Sequence, residues 1–268
     1  MSARRPRRAR KMPKGGLSKQ PKKLPWFRQQ WLDVAVLAAW SLTFFRYWVT
    51  GKLFLLLHPD YMWLANGAAF VMLAMALFKL VKMQQQQRVQ VPPSHTTLLP
   101  PQVSSLILLG VAVLGFVYTP RAFASETAIQ RGVSDTLTMT RAQPQRFVRQ
   151  TASDERTIID WIRTLNVYPE PDAYTGQAVN VSGFVIHPDE WPEEYLMLSR
   201  FVLTCCAADA YPVGLPVQLA VSRQAYTPDS WLQVEGKIVT ATIDGRRQLT
   251  IEPTKIETIP EPRNPYEY

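Results

Sequence analysis

The sequence contains little of what disulfide-stabilised folds and most catalytic centres require. Its 268 residues include two cysteines, which are adjacent, and three histidines. A bridge between neighbouring cysteines is strained, and this pair cannot tie distant segments together, so we expect no disulfide framework. The sequence also has no phosphate-binding loop, dinucleotide-binding fingerprint or Ser–His–Asp grouping. We therefore expect a protein that is not an enzyme.

Acidic residues are nearly missing from the first part of the chain. Residues 1–120 contain 16 lysines and arginines but two acidic residues, a formal charge of +14. Residues 121–268 contain 14 basic and 19 acidic residues, a formal charge of −5. The basic character is therefore local, and it does not predict a nucleic-acid partner for the whole protein. Residues 1–30 predict a disordered cytoplasmic tail that contacts lipid head groups; a nucleic-acid-binding tail is the alternative.

Three apolar runs follow the tail and predict a transmembrane region over residues 31–120. They cover about residues 31–57, 61–81 and 103–118. The first run exceeds the roughly 20 residues that cross a bilayer, so we expect it to tilt or to break near Gly51. The third run is short, reaching about 24 Å as a helix, and it can cross if its ends draw in lipid head groups.

The distribution of basic residues predicts the orientation in the plasma (inner) membrane. The basic tail and the loop with Lys82 and Arg88 are expected in the cytoplasm, because positive charge is retained on that side. Three crossings then place residues 121–268 outside the cytoplasm. If the third run does not cross, this part lies in the cytoplasm instead. An Ala-X-Ala pattern makes cleavage after Ala124 a further alternative.

The C-terminal part predicts a mainly-β domain over residues 153–268, after a linker at 121–152. Residues 153–166 predict one amphipathic helix with Ser153 as its N-cap. One buried face of this helix is expected from Ile158, Ile159, Ile162 and Leu165, with Trp161 flanking it. Five strands are expected after it, at about residues 178–185, 197–205, 215–221, 231–240 and 248–259. Their spacing favours a five-stranded OB-like barrel.

The adjacent cysteines are the main candidate for chemistry in this domain. Cys205, Cys206 and Asp209 offer two sulfurs and an oxygen, and His187 could add a nitrogen. This donor set suits a soft or borderline cation such as zinc or copper. Two other interpretations are open: the cysteines are small buried residues and Asp209 caps a turn, or the pair performs thiol redox chemistry.

Two polar residues accompany the first two apolar runs. His58 lies at the turn between them, either as a solvated turn residue or as a ligand or proton-handling group at the mouth of a pathway. Arg46 lies mid-span by count and would then face a protein interior or a cavity. Alternatively, it extends towards the lipid head groups because the first span ends near Thr50.

Four motifs are similar to those of the YcgQ-like family of two-component permease subunits. They are Leu57-His58-Pro59, Gly183–Val185, the block Arg200–Ala210 and the ending Pro260–Tyr268. The resemblance covers most of residues 30–268, and it is most specific in the Cys-Cys-X-X-Asp-Ala block. It implies an accessory subunit whose partner is a multi-span permease, and it implies no particular substrate.

The resemblance raises the importance of Cys205, Cys206 and Asp209 without assigning their role. The expected function is therefore an extracytoplasmic domain that captures or gates a small solute or metal cation for a permease. An outside-facing thiol redox protein and a purely structural membrane-anchored interaction protein are the alternatives.

Overall fold

The computed structural model describes residues 26–85, 99–133 and 152–268. Most of the predicted basic tail, the loop segment with Arg88 and the larger part of the predicted linker lie outside these ranges. The described residues form a group of apolar helices followed by a β-domain.

Three apolar helices correspond to the predicted spans. They are α1 (Trp26–Val49), α2 (Pro59–Gln84) and α3 (Pro101–Val117). By length and composition, the Gln29–Val49 part of α1 and all of α2 could cross a membrane, whereas α3 is shorter. The first predicted span does break at Gly51, whose φ of 68° is a left-handed conformation that glycine adopts without strain, and a 3-10 turn follows at Lys52–Leu55.

Hydroxyl groups and small residues hold α1 against the other two helices. The Ser41 hydroxyl donates to the carbonyl of Ala69 in α2 (2.9 Å), and the Tyr47 hydroxyl donates to the carbonyl of Gly115 in α3. Near the other end of α1, Lys79 forms an ion pair with Asp33 (2.8 Å). Close approach through small residues and hydrogen bonds to carbonyls is how helices associate where little apolar surface can be withdrawn from water.

Two further α-helices flank the β-domain. Helix α4 (Ser125–Arg131) lies in the first part of the predicted linker. The N-cap of helix α5 (Ile158–Val167) is Thr157, four residues after the expected cap at Ser153, because Thr157 and Asp160 form a capping box. Trp161 is fully buried and belongs to the buried face of α5 rather than flanking it.

Five strands close into a barrel, as the sequence predicted. The strands are β1 (Ala178–Ile186), β2 (Tyr195–Val202), β3 (Tyr211–Gln218), β4 (Trp231–Ile243) and β5 (Arg246–Ile259). Antiparallel pairing joins β4 to β5, β4 to β1, β1 to β2 and β2 to β3, and a parallel bridge between β3 and β5 completes the circle. A two-residue strand, β6 (Tyr266–Glu267), runs parallel to β2.

Besides the apolar core inside the barrel, a separate apolar cluster connects the barrel to the helical part. We call it the outer core, and its buried members are Leu55, Ala128, Phe184, Ile186, Met197, Phe201, Leu203, Ala210, Trp231 and Tyr266. Leu55 comes from the turn between α1 and α2, and Ala128 comes from α4. The helical hairpin formed by α1 and α2 is therefore packed on the barrel through this cluster.

Candidate functional site

The adjacent cysteines lie in a loop that leaves the barrel at the end of β2. We call residues Thr204–Asp209 the cysteine loop. Leu203, just before it, is buried in the outer core, and the loop ends in a 3-10 turn at Ala207–Asp209. Cys205 is exposed and Cys206 is half-buried, so the interpretation of both cysteines as small buried residues is wrong for Cys205.

The carboxylate of Asp209 holds the cysteine loop in shape. It accepts hydrogen bonds from the backbone N–H groups of Cys205 (2.9 Å) and Cys206 (3.1 Å) and from the hydroxyl of Thr204. The prediction that Asp209 caps the turn that follows it is wrong, because its carboxylate accepts from the residues before it. A carboxylate offers about four acceptor positions, and the Cys205 thiol also donates to this one.

Three donor atoms meet in this loop. One ligand atom each of Cys205, Cys206 and Asp209 lies within 4.8 Å of the others, and the two sulfurs are 3.6 Å apart. Two thiolates on one tetrahedral zinc ion, with Zn–S bonds of about 2.3 Å, would be about 3.8 Å apart. The sulfur spacing therefore matches a shared thiophilic cation, and the donors are those that zinc and copper prefer.

The hydrogen bonds of Asp209 also set the protonation of the loop. The hydrogen bond from the Cys205 thiol to Asp209 is the main reason why the pKa of Cys205 is raised to about 11. Burial opposes ionisation of Asp209, but the donors from Thr204, Cys205 and Cys206 outweigh it and lower the pKa of its carboxyl group. In the absence of a cation the site is therefore a carboxylate beside a protonated thiol, which is a weak nucleophile.

The α1–α2 hairpin is joined to the cysteine loop by main-chain hydrogen bonds. The N–H of His58 donates to the carbonyl of Cys205 (3.0 Å), and the N–H of Ala207 donates to the carbonyl of Leu56 (2.9 Å). These bonds form an antiparallel bridge in which Leu57 lies opposite Cys206. The hairpin is thus paired with the loop at a single isolated β-bridge.

His58 also closes the start of α2 and contacts the last residue of the chain. Its Nδ1 accepts the N–H of Asp60 (3.2 Å), which makes it the N-cap of α2, with Pro59 at the first helical position. Its ring meets the ring of Tyr268 edge to face, with centroids 4.8 Å apart. Three segments that are far apart in the sequence therefore meet at this site.

The chain ending is fixed beside the site by a buried ion pair. Glu267 lies 3.8 Å from Arg200, and its carboxylate accepts the N–H of Ile159 at the start of α5 (3.1 Å). Burial raises the pKa of Glu267 and lowers the pKa of Arg200, so the desolvation of the two charges exceeds their mutual attraction. This arrangement positions Tyr268 against His58.

The structure places Arg46 and His187 away from the three donors. Arg46 lies in the last turn of α1, with its guanidinium 4.7 Å from the centre of the Phe116 ring. His187 follows β1, and burial together with the charge of Arg223 lowers the pKa of its imidazole. The group of metal-ligating donors in the described part of the chain includes neither His187 nor His58.

Sequence reasoning did not identify Thr204 or the chain ending as parts of the site. Asp209 stands three residues after Cys206, which is the spacing of a capping box, and this spacing could have suggested a closed loop. The hydrogen bonds of His58 and Ala207 across the bridge use main-chain atoms, so no pattern of side chains in the sequence predicts them.

Comparison with known protein families finds a match for the C-terminal part of the chain, which contains the β-domain. No curated protein matches the chain. The matching segment includes α5, the whole barrel, the cysteine loop and β6, and it leaves out α1, α2 and α3. Residues 146–268 match the family model of the DUF1980 C-terminal domain, an uncharacterised family.

Proposed function

We propose that the chain is an accessory subunit of a two-component membrane permease whose outer domain captures a soft or borderline cation at the cysteine loop. The observation that carries the proposal is the convergence of Cys205, Cys206 and Asp209 within 4.8 Å at the junction between barrel and hairpin. A site at this junction contacts both the part that would capture a solute and the part that would contact a permease.

The proposal includes three membrane crossings, with the tail in the cytoplasm and an OB-like domain outside. The low burial of the apolar helices supports these crossings. Only 28% of the apolar stretch of α1 and 17% of that of α2 are buried, whereas a core helix of a soluble protein is mostly buried. Helix α3 has 17 residues and reaches about 26 Å. It would cross with local thinning of the bilayer.

The partner would be a multi-span permease that covers part of the exposed apolar surface of α2 and α3. Leu106, Val113 and Leu114 of α3 are about half exposed or more. Membrane lipids would cover the remainder. Extraction in mild detergent should yield the chain together with a larger membrane protein, and recovery of the chain alone would contradict this part of the proposal.

Cation titration of the full chain tests the capture step. Zinc or copper(I) binding, measured by competition with a chromophoric chelator, should be lost in Cys205→Ser and in Cys206→Ser. Asp244→Asn, at the exposed β4–β5 turn, is the control and should bind as the wild type does. Unchanged binding in both cysteine variants would refute cation capture at this loop.

A thiol redox role is the second candidate, and the pKa of Cys205 argues against it. Thiol–disulfide exchange needs a thiolate, and a thiol with a pKa of about 11 supplies little of it near neutral pH. Trapping of a mixed disulfide through either cysteine would support this role nevertheless.

A further inference from the structure

We propose that His58 supplies the fourth donor of the cation site, so that the site is completed by the transmembrane hairpin. This inference rests on the proposed capture of a cation by the cysteine loop. It identifies the ligand as a divalent cation of the zinc type, bound by two sulfurs, one oxygen and one nitrogen.

The main-chain bridge places His58 next to Cys205. Leu57 lies opposite Cys206, so His58 lies opposite Cys205, and the hydrogen bond between these two residues confirms the register. Side chains that are directly opposite in an antiparallel pair project from the same face, with Cβ atoms about 4.5–5.5 Å apart. The imidazole and the Cys205 thiol therefore start from neighbouring positions on one face.

The imidazole has a partner that suits a metal ligand. Its Nδ1 lies 3.7 Å from Oδ2 of Asp60, and its side chain is 18% exposed. Nδ1 accepts the Asp60 N–H, which places the ring proton on Nε2. Histidines that bind metals usually donate their other N–H to a carboxylate. Rotation of the ring with a shift of the proton to Nδ1 would give that pairing with Asp60 and free the Nε2 lone pair.

The number of donors in the cysteine loop leaves room for a fourth ligand. The three donors of the cysteine loop leave one position of a tetrahedral site open. Binding of a divalent cation by two thiolates releases the two thiol protons to solvent, and His58 stays neutral because its proton only changes nitrogen. With the Asp209 carboxylate, the loaded site carries a net charge of −1. Loading would then fasten the α1–α2 turn to the barrel, beyond the existing main-chain bonds.

The test uses cobalt(II) as a spectroscopic substitute for zinc, bound to the full chain in detergent. His58→Gln should weaken binding by about tenfold or more and should remove the imidazole contribution from the X-ray absorption spectrum of the bound metal. His187→Gln is the matched control and should change neither quantity. Asp60→Asn should weaken binding less than His58→Gln, because it removes only the partner of the ligand.

The outcomes separate this inference from the proposed function. Loss of binding in the cysteine variants with unchanged affinity and unchanged spectrum in His58→Gln would refute the role of His58 and leave cation capture in place. Unchanged binding in the cysteine variants would refute both. Amide exchange at Ala207 shows whether His58→Gln keeps the hairpin docked. Weaker cation binding with normal protection at Ala207 supports ligation by His58. Weaker binding with lost protection at Ala207 and a retained imidazole signal counts against ligation.

Discussion

Replacement of Leu55 by alanine should weaken the docking of the α1–α2 hairpin on the barrel without unfolding either part. Leu55 is 6% exposed and packs in the outer core, where it is the buried member that the hairpin contributes among the described residues. Removal of a buried leucine side chain to alanine costs about 2–5 kcal/mol, from lost transfer energy and from the cavity that remains. This cost falls on the docked state, because an undocked Leu55 is already outside the outer core.

The magnitude determines how much the docking equilibrium moves. A loss of about 2 kcal/mol raises the undocked population roughly 30-fold, and a loss of about 5 kcal/mol raises it several thousandfold. The two main-chain hydrogen bonds of the bridge contribute about 0.5–1.5 kcal/mol each in the wild type and in the variant alike, so they do not change this ratio. The protection of the His58 and Ala207 amides should fall by the same factor as that by which the undocked population rises.

Hydrogen exchange of the full chain in detergent, followed by mass spectrometry, measures this protection. Leu64→Ala is the matched control, since Leu64 lies on α2 and is 51% exposed. Peptides that contain His58 and Ala207 should exchange faster in Leu55→Ala, whereas peptides from β4 should not. Equal exchange in Leu55→Ala, Leu64→Ala and the wild type would show that the outer core does not hold the hairpin in place.

Three further predictions concern the β-domain. Because the pKa of Cys205 is about 11 rather than 9.0, its alkylation by iodoacetamide at pH 8 should be about 100-fold slower than that of an ordinary thiol, and Asp209→Asn should accelerate it; equal rates would refute the hydrogen bond. Burial raises the pKa of Glu267, so the folded chain binds this proton more tightly and its stability should fall as the pH rises from about 4.5 through that raised pKa. Thermal denaturation of Glu267→Gln should lack this part of the fall. Gly183→Ala should destabilise the barrel by about 1–3 kcal/mol in denaturant unfolding, because its Cβ would lie 2.6 Å from the carbonyl oxygen of Ser199; an unchanged midpoint would show that β1 and β2 can separate without cost.

The strands were predictable because their alternating pattern survives in the barrel. The predicted second strand is wrong at its end, since β2 stops at Val202 rather than at residue 205. The start of the third strand also differs, and this difference has a local cause. Residues Tyr211–Gly214 carry turn-forming proline and glycine, so the sequence predicts the third strand only from Leu215. The structure begins β3 at Tyr211, with Pro212 opposite Phe201 of β2. On its other side β3 meets β5 only near Val217, so Pro212 lies where no second neighbour needs its missing N–H.

The start of α5 shows how two acceptable caps are decided. Ser153 and Thr157 are both good N-cap residues, and Ser153 is also followed by acidic residues. Thr157 is the cap in the structure because Asp160 returns a hydrogen bond to its N–H (3.2 Å). The segment Ser153–Glu155 forms a separate 3-10 turn. The reciprocal pair was visible in the sequence, and the apolar pattern alone did not distinguish the two starts.

The candidate site was predicted only as far as its local donors. Cys205, Cys206 and Asp209 are close in sequence, and a short loop brings them together. His187 depends on the register of the barrel: Ile186 lies opposite Met197, so His187 follows the end of β1 that is far along β2 from Cys205. Sequence reasoning had no access to this register, and it grouped His187 with the cysteines because of its chemistry alone.

The contacts that hold the cysteine loop in shape determine which substitutions are informative about its function. Asp209 both shapes the loop and offers a ligand, so its replacement changes two properties at once. Replacement of Cys205 by serine removes the sulfur but keeps the N–H that donates to Asp209 and the carbonyl that accepts from His58. A loss of cation binding in Cys205→Ser with normal amide protection at Ala207 would therefore assign the loss to the sulfur. The same loss accompanied by faster exchange at Ala207 would assign it to the shape of the loop, and the capture proposal would then lack its principal support.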